Sequence, residues 1–244
     1  MNTNFRETLK PLFLMGMCAL LTVVVNRYTT LDVEITNLFF DAKTQVFPLK
    51  DVAWLTAVFH DGLKFLSSVV WLVLFFKMLL FIFSEKAYSG TDPTKKKTVV
   101  FNYCYVLVAS LLAATLTTYL KLKSNYACPW GLSIYGSAAP HLRLFERVPE
   151  VLGQSFLPGK CFPSGHASVG FMWLALLMLK EPVGFFKRPV LIGFITTVCF
   201  FSGGVQIIRG AHFLSHVMAT GVLCWFVVWF TYEVMFRLGK PFLK

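Results

Sequence analysis

The sequence predicts an all-α fold: a polytopic bundle of six transmembrane helices, with an outer loop that carries part of a functional site. Three observations predict it. Of 244 residues, 56% are hydrophobic and 14% charged, with Phe alone at 26, a balance far from that of soluble domains. The apolar residues gather into runs near the ~20 residues that a helix needs to cross a bilayer. These are Leu12 to Val25, Phe65 to Phe83, Val99 to Leu120, Pro163 to Leu179, Val190 to Ile208 and Phe213 to Phe236. Basic residues crowd the short segments between runs, the asymmetry that orients a membrane protein.

The first run follows Arg6 and Lys10 like a secretory signal, yet "VVVNRYTT" offers no small-residue cleavage site, so it reads as a retained anchor. Next, "LDVEITNLFF" (31–40) has the apolar spacing of a short helix lying in the outer interface, scaffold or at most a lid. Lys77 in the second run lies close enough to the inner end to snorkel there. The first and fourth runs are short and borrow flanking residues. Small residues in "FSGG" (201–204) let helices approach closely. Lys86, the "KKK" run at 95–97, Lys180, Lys187, Arg188, Arg237, Lys240 and Lys244 mark the cytoplasmic face. Both termini then lie inside, and stretches 26–62 and 121–162 face out. No repeat or linker divides residues 1–244, which form one domain. The net charge of +11 flanks membrane spans, so anionic lipid headgroups are the expected partner; no nucleic acid and no obligate protein partner are implied.

Polar groups at the lip of a span are costly to place and are candidates for function. Three clusters share the outer side: "KLKSNYACPW" with Lys121 and Lys123, then Ser164-Gly165-His166, then "QIIRGAHFLSH" with Arg209, His212 and His216. The first turn of a helix leaves N–H groups without partners and suits an anion such as phosphate. Pro163-Ser164-Gly165 supplies that turn, Gly165 admits the anion, and Lys121 and Arg209 are long enough to neutralise its oxygens. His166 stands over this cradle, placed to protonate a leaving oxygen. If the last helix starts at or before His212, then His212 and His216, four apart, share one face, one as nucleophile and the other as its orienter.

Lys121 with Cys128-Pro129, Pro163-Ser164-Gly165-His166, and Gly210-Ala211-His212 with His216 together resemble the three-part signature of the type-2 phosphatidic acid phosphatase family of integral membrane lipid phosphatases. That pattern is Lys, six residues, Arg-Pro; Pro-Ser-Gly-His; and Ser-Arg, five residues, His, three residues, Asp. The resemblance implies that His212 is the nucleophile, that His166 is the general acid, and that Lys121 with the Ser164 and Gly165 amides holds phosphate. It implies no cofactor and no metal. Three positions depart from it: Cys128 replaces an Arg, Gln206 replaces the third-motif Arg, and His216 replaces the Asp. Arg209, one turn nearer His212, is expected to restore the missing cation. Either His216 or a carboxylate such as Asp61 is left to orient His212. Cys128 and Cys161 both fall in the outer stretch and are expected to be disulfide-bonded in an oxidising periplasm.

The remaining residues read more plainly. His60 and His141 are solvated caps. Cys18, Cys104, Cys199 and Cys224 lie within spans and are free and buried. The expected activity is metal-independent hydrolysis of a phosphate or diphosphate on a membrane lipid, with the active site outside a bacterial inner membrane. Lipid A, undecaprenyl diphosphate and phosphatidylglycerophosphate are the substrate classes that the resemblance makes available. A lipid phosphotransferase using the same phosphohistidine, or a transporter or binding protein using the same cations, are the alternatives.

Overall fold

The computed structural model describes residues 3–83, 93–146, 159–179 and 187–239. Lys86, Lys180, Lys240 and Lys244, used above for orientation, lie outside the described residues. Within them the chain is helical, with only isolated bridges between Asp41 and Val46 and between Leu132 and Ala139. Helix α1 spans Thr3–Val23 and ends in a π turn, Val24–Tyr28. The short α2 is Leu31–Asn37. Then come α3 (Ala53–Phe83), α4 (Pro93–Leu122), α5 (Ser168–Met178), α6 (Arg188–Ile208) and α7 (Leu214–Gly239).

Five of these helices, α1, α3, α4, α6 and α7, are long and apolar enough to cross a membrane, and the protein is an integral membrane protein. The run expected from Pro163 to Leu179 is the exception. Its helix begins only at Ser168, passes through a 3-10 turn at Met172–Leu174 and stops at Leu179, whose backbone is extended. At about 1.5 Å per residue it falls well short of the ~30 Å hydrocarbon thickness. Residues 163–167 are spent on the turn at its mouth, and α4, α6 and α7 pack around it, so it sits inside the bundle.

Helix α7 is the central and most buried long helix, while α3 is the least buried and presents Phe65, Phe76 and Phe83 outward. Without water to pull apolar faces together, bilayer helices rely on close approach and on satisfied polar groups. Gly170 and Gly203 mark such approaches. A methyl group on Gly170 would fall 2.3 Å from Ser202 Oγ, and one on Gly203 2.5 Å from Val217 Cγ1. Tyr105 donates its hydroxyl to Val228 O (3.0 Å), and Trp173 Nε1 donates to Ser67 Oγ (3.1 Å). Cys199 and Cys224 are buried, but Cys18 and Cys104 are only half-buried. Lys77 is exposed on α3.

The segment between α1 and α3 and the described residues after α4 fold together over one end of the bundle, where Phe47, Leu132, Tyr135 and Phe213 form a small apolar core. Helix α2 is more than a lid. Its inward residues Asp32 and Thr36 are buried, and the Asp32 carboxylate accepts from Ser215 N (2.9 Å), Ser215 Oγ (2.5 Å) and Asn26 Nδ2 (3.1 Å). Asp32 therefore caps the N-terminus of α7 from a distant part of the chain.

Candidate active site

Lys121 lies in the last turn of α4, Ser164 to His166 form the turn ahead of α5, and Arg209 to His216 cross from α6 into α7. The fold brings the three together. The His166 and His212 ring centroids are 6.4 Å apart, and those of His212 and His216 are 5.7 Å apart. Helix α6 stops because Gly210 takes a left-handed φ of 70°, after which Ala211 N and His212 N both donate to Gln206 O (2.9 and 3.1 Å). A side chain at Gly210 would also strike the Phe47 ring at 2.5 Å. Trp130 N donates to Gly210 O (3.0 Å), which ties the first motif to the third.

The cradle differs in detail from the expectation that the Ser164 and Gly165 amides both meet phosphate. Ser164 N is already taken by His216 O (3.2 Å), and Thr220 Oγ1 donates to Ser164 O (3.1 Å), so Ser164 locks the α5 turn onto α7. Its hydroxyl accepts from Ala167 N (3.3 Å) and keeps its own hydrogen for a ligand oxygen. The amides of Gly165 and His166 make no hydrogen bond within the described residues. Lys121 lies directly over Gly165: an added methyl there would meet its Cδ at 3.2 Å and Nζ at 3.8 Å. A side chain at this position would make Lys121 shift by a few tenths of an ångström.

His212 is buried, with Nδ1 3.5 Å from His216 Nδ1 and 3.4 Å from Cys161 Sγ. Cys161 is bonded to Cys128, with Cα atoms 5.2 Å apart, so its sulfur carries no hydrogen and only touches the ring. His216 is then the side chain whose ring nitrogen lies within hydrogen-bond distance of His212 Nδ1. If His212 Nδ1–H donates to His216 Nδ1, the lone pair of His212 is on Nε2, where a nucleophile needs it. The His216 ring is itself gripped edge-on between Phe162 (5.3 Å) and Phe213 (5.4 Å). Burial first, then the neighbouring His216, Lys121 and His166, hold His212 well below the usual histidine value, so it is neutral. His166, in the turn outside the helices, is pushed down to about 3 by burial and then by His60, Lys64, Lys121 and Arg209.

Four residues sit otherwise than the sequence suggests. Arg209 is buried with its guanidinium engaged: Nε and Nη2 donate to Lys50 O (3.1 and 2.8 Å), and Nη2 donates to Thr56 Oγ1 (3.1 Å). It straps the segment around Lys50 and Thr56 to the end of α6, and its charge acts on His166. Gln206, by contrast, has a buried Nε2 without a partner. Asp61 does not reach His212; its carboxylate accepts from His60 Nδ1 (2.7 Å). His60 and His141 are not solvated caps, because His60 lies against His166 with ring centroids 3.9 Å apart and His141 is half-buried against Phe213 (5.3 Å). Sequence reasoning missed His60, whose one signal was the charged "HDGLK" cluster at the lip of a span on the motif side. It also missed Asp32, which no local pattern distinguishes.

Among the described residues, Cys161, His212 and His216 form a grouping with metal-ligand geometry, their donor atoms within 4.8 Å of one another. With the Cys161 sulfur bonded to Cys128, two imidazoles remain, fewer than a catalytic zinc site uses.

A search of curated proteins and one of solved structures each return no match to this chain. Residues 102–240 match the family model of the PAP2 superfamily, a span that begins in α4, ends with α7 and contains all three motifs. That match covers more than half of the chain and takes in both histidines, and so the protein belongs to the PAP2 superfamily, as a membrane phosphatase acting on lipid phosphates.

Proposed function

We propose that the protein hydrolyses a phosphate or diphosphate group on a membrane lipid at the outer leaflet of a bacterial inner membrane, without a metal ion and through a phosphohistidine on His212. Its substrate belongs to the class of lipid A, undecaprenyl diphosphate or phosphatidylglycerophosphate. His212 Nε2 attacks phosphorus while its Nδ1–H is held by His216. Lys121, the amides of Gly165 and His166, and the charge of Arg209 stabilise the equatorial oxygens as the bond to the leaving oxygen breaks. His166 stands by the leaving oxygen, and water then attacks the phosphohistidine.

The observation that carries this reading is a pair of imidazoles in different states of restraint. His212 has one nitrogen occupied by its neighbour, whereas both ring nitrogens of His166, 6.4 Å away between centroids, are buried without a partner. Buried polar atoms without partners are rare and call for a ligand. The test is phosphate release from a panel of lipid phosphates by the purified chain in detergent with chelator present, together with trapping of an acid-labile phosphoenzyme. His212→Ala is expected to abolish both while the protein stays folded. Full activity in that variant would end the mechanism.

A further inference from the structure

His60 and Asp61 lie in the π-helical opening of α3, Thr56–Gly62, outside the three motifs. Two contacts fix this segment against the site. Arg209 Nη2 donates to Thr56 Oγ1 (3.1 Å), and Phe59 stacks on Phe201 of α6 (5.5 Å between centroids). π turns inside α-helices are frequent at functional sites. The result is an imidazole, His60, laid against His166 at 3.9 Å between centroids and tilted by 38°. Its Nδ1 donates to Asp61 Oδ1 at 2.7 Å.

The two imidazoles differ in their hydrogen-bond partners. The ring nitrogens of His166 are buried near Lys64, Lys121 and Arg209 with neither bonded, and this environment disfavours a second proton on the ring. His60 donates Nδ1–H to the Asp61 carboxylate, and its Nε2 stands outside that pair. Its side chain is 27% exposed, enough to exchange protons with water at the membrane surface. The groups facing this pair are Asp61 and Lys64 on α3, His166 on the α5 turn, Lys121 on α4 and Arg209 after α6.

We propose that His60, held by Asp61, is a second acid of this site and supplies the leaving-group proton that the motif assigns to His166 alone. The inference rests on the phosphohistidine reading above. As the His212 Nε2–P bond forms, the P–O bond to the lipid breaks and its electron pair stays on the leaving oxygen. His60 Nε2–H gives that oxygen its proton and becomes neutral. When water attacks the phosphohistidine, its proton returns to His60, and the P–N bond pair returns to His212 as inorganic phosphate leaves. His166 then serves chiefly to position the phosphoryl group.

The experiment compares phosphatidic acid in mixed micelles, whose leaving group is an alkoxide that needs a proton, with p-nitrophenyl phosphate, whose leaving group does not. The proteins are the purified full chain and its His60→Ala, His60→Gln and Asp61→Asn variants. Loss of a positioned acid costs on the order of 10²-fold or more. His60→Ala and His60→Gln are expected to lose that much with phosphatidic acid, and at least tenfold less with the aryl ester. Asp61→Asn, which keeps the ring, should show the same direction at smaller size. Equal fractional losses on the two substrates, as a merely structural role would give, overturn the inference while leaving the phosphohistidine reading intact. No phosphate from the unaltered chain with either of these substrates or with any lipid phosphate of the panel above overturns that reading and this inference with it.

Discussion

The bond between Cys128 and Cys161 closes a loop of 33 residues between α4 and α5. Because this segment lies outside the spans, ordinary chain-entropy arithmetic applies to it, and a loop of this size gives about 4 kcal/mol. Two hydrogen bonds beside the bridge, Lys160 N to Ser124 O (3.1 Å) and Cys161 N to Tyr126 O (2.9 Å), hold part of the loop closed after reduction, so the observed loss lies below that figure. Reduction has a second effect. It creates a thiol 3.4 Å from His212 Nδ1, able to donate to the nitrogen that must itself donate to His216. Cys128→Ala, which leaves that thiol, is therefore expected to be slower than the double variant Cys128→Ala/Cys161→Ala, although both lose the same loop closure. Thermal unfolding in detergent with and without reductant reads the stability, and phosphate release reads the rate. Two alkylatable thiols at these positions before reduction, by non-reducing mass spectrometry, would refute the reasoning, as would an unfolding midpoint indifferent to reductant.

Arg209→Ala should cost on the order of 10²-fold or more in rate, since it removes a preorganised charge, and Arg209→Lys should rescue it poorly because one ammonium cannot reproduce the two bonds to Lys50 O. Gln206→Met should not lower the unfolding midpoint, because Nε2 has no partner to lose, and should affect turnover mildly; a greater loss of rate than for Arg209→Ala would reverse their roles. Hydrolysis should survive EDTA, and a loss restored by added Mg²⁺ would argue for different chemistry. His166 and His212 bind protons less readily in the folded chain than in the unfolded one, so the unfolded chain gains protons first as pH falls. Their contribution is intact above about pH 6.5 and is lost on acidification, down to about 3 for His166, by up to ~1.4 kcal/mol per pH unit for each histidine. Unfolding midpoints between pH 7.5 and 5 should fall, and fall less in His166→Gln; a midpoint that does not move would contradict the burial of these rings.

What the sequence determined by itself was whatever depends on composition and on spacing along one chain. Apolar runs of bilayer length define α1, α3, α4, α6 and α7, because a segment in hydrocarbon must satisfy its own backbone and helix is the local way to do so. The short motifs placed Lys121, His166 and His212 beside the ends of apolar runs, and the packing of those runs brings them together. Tertiary structure alone decided where side-chain polar groups find partners, because those partners come from distant segments. Asp32 reaches Ser215 across 183 residues, Arg209 spends its donors on Lys50 across 159, and Asp61 turns to the adjacent His60 when His212 lacked a carboxylate. The length of α5 was decided in the same way: its apolar run reads as a span, but Ser164 is locked onto the backbone of α7, which leaves the first residues of that run in a turn and their unpaired donors facing the site.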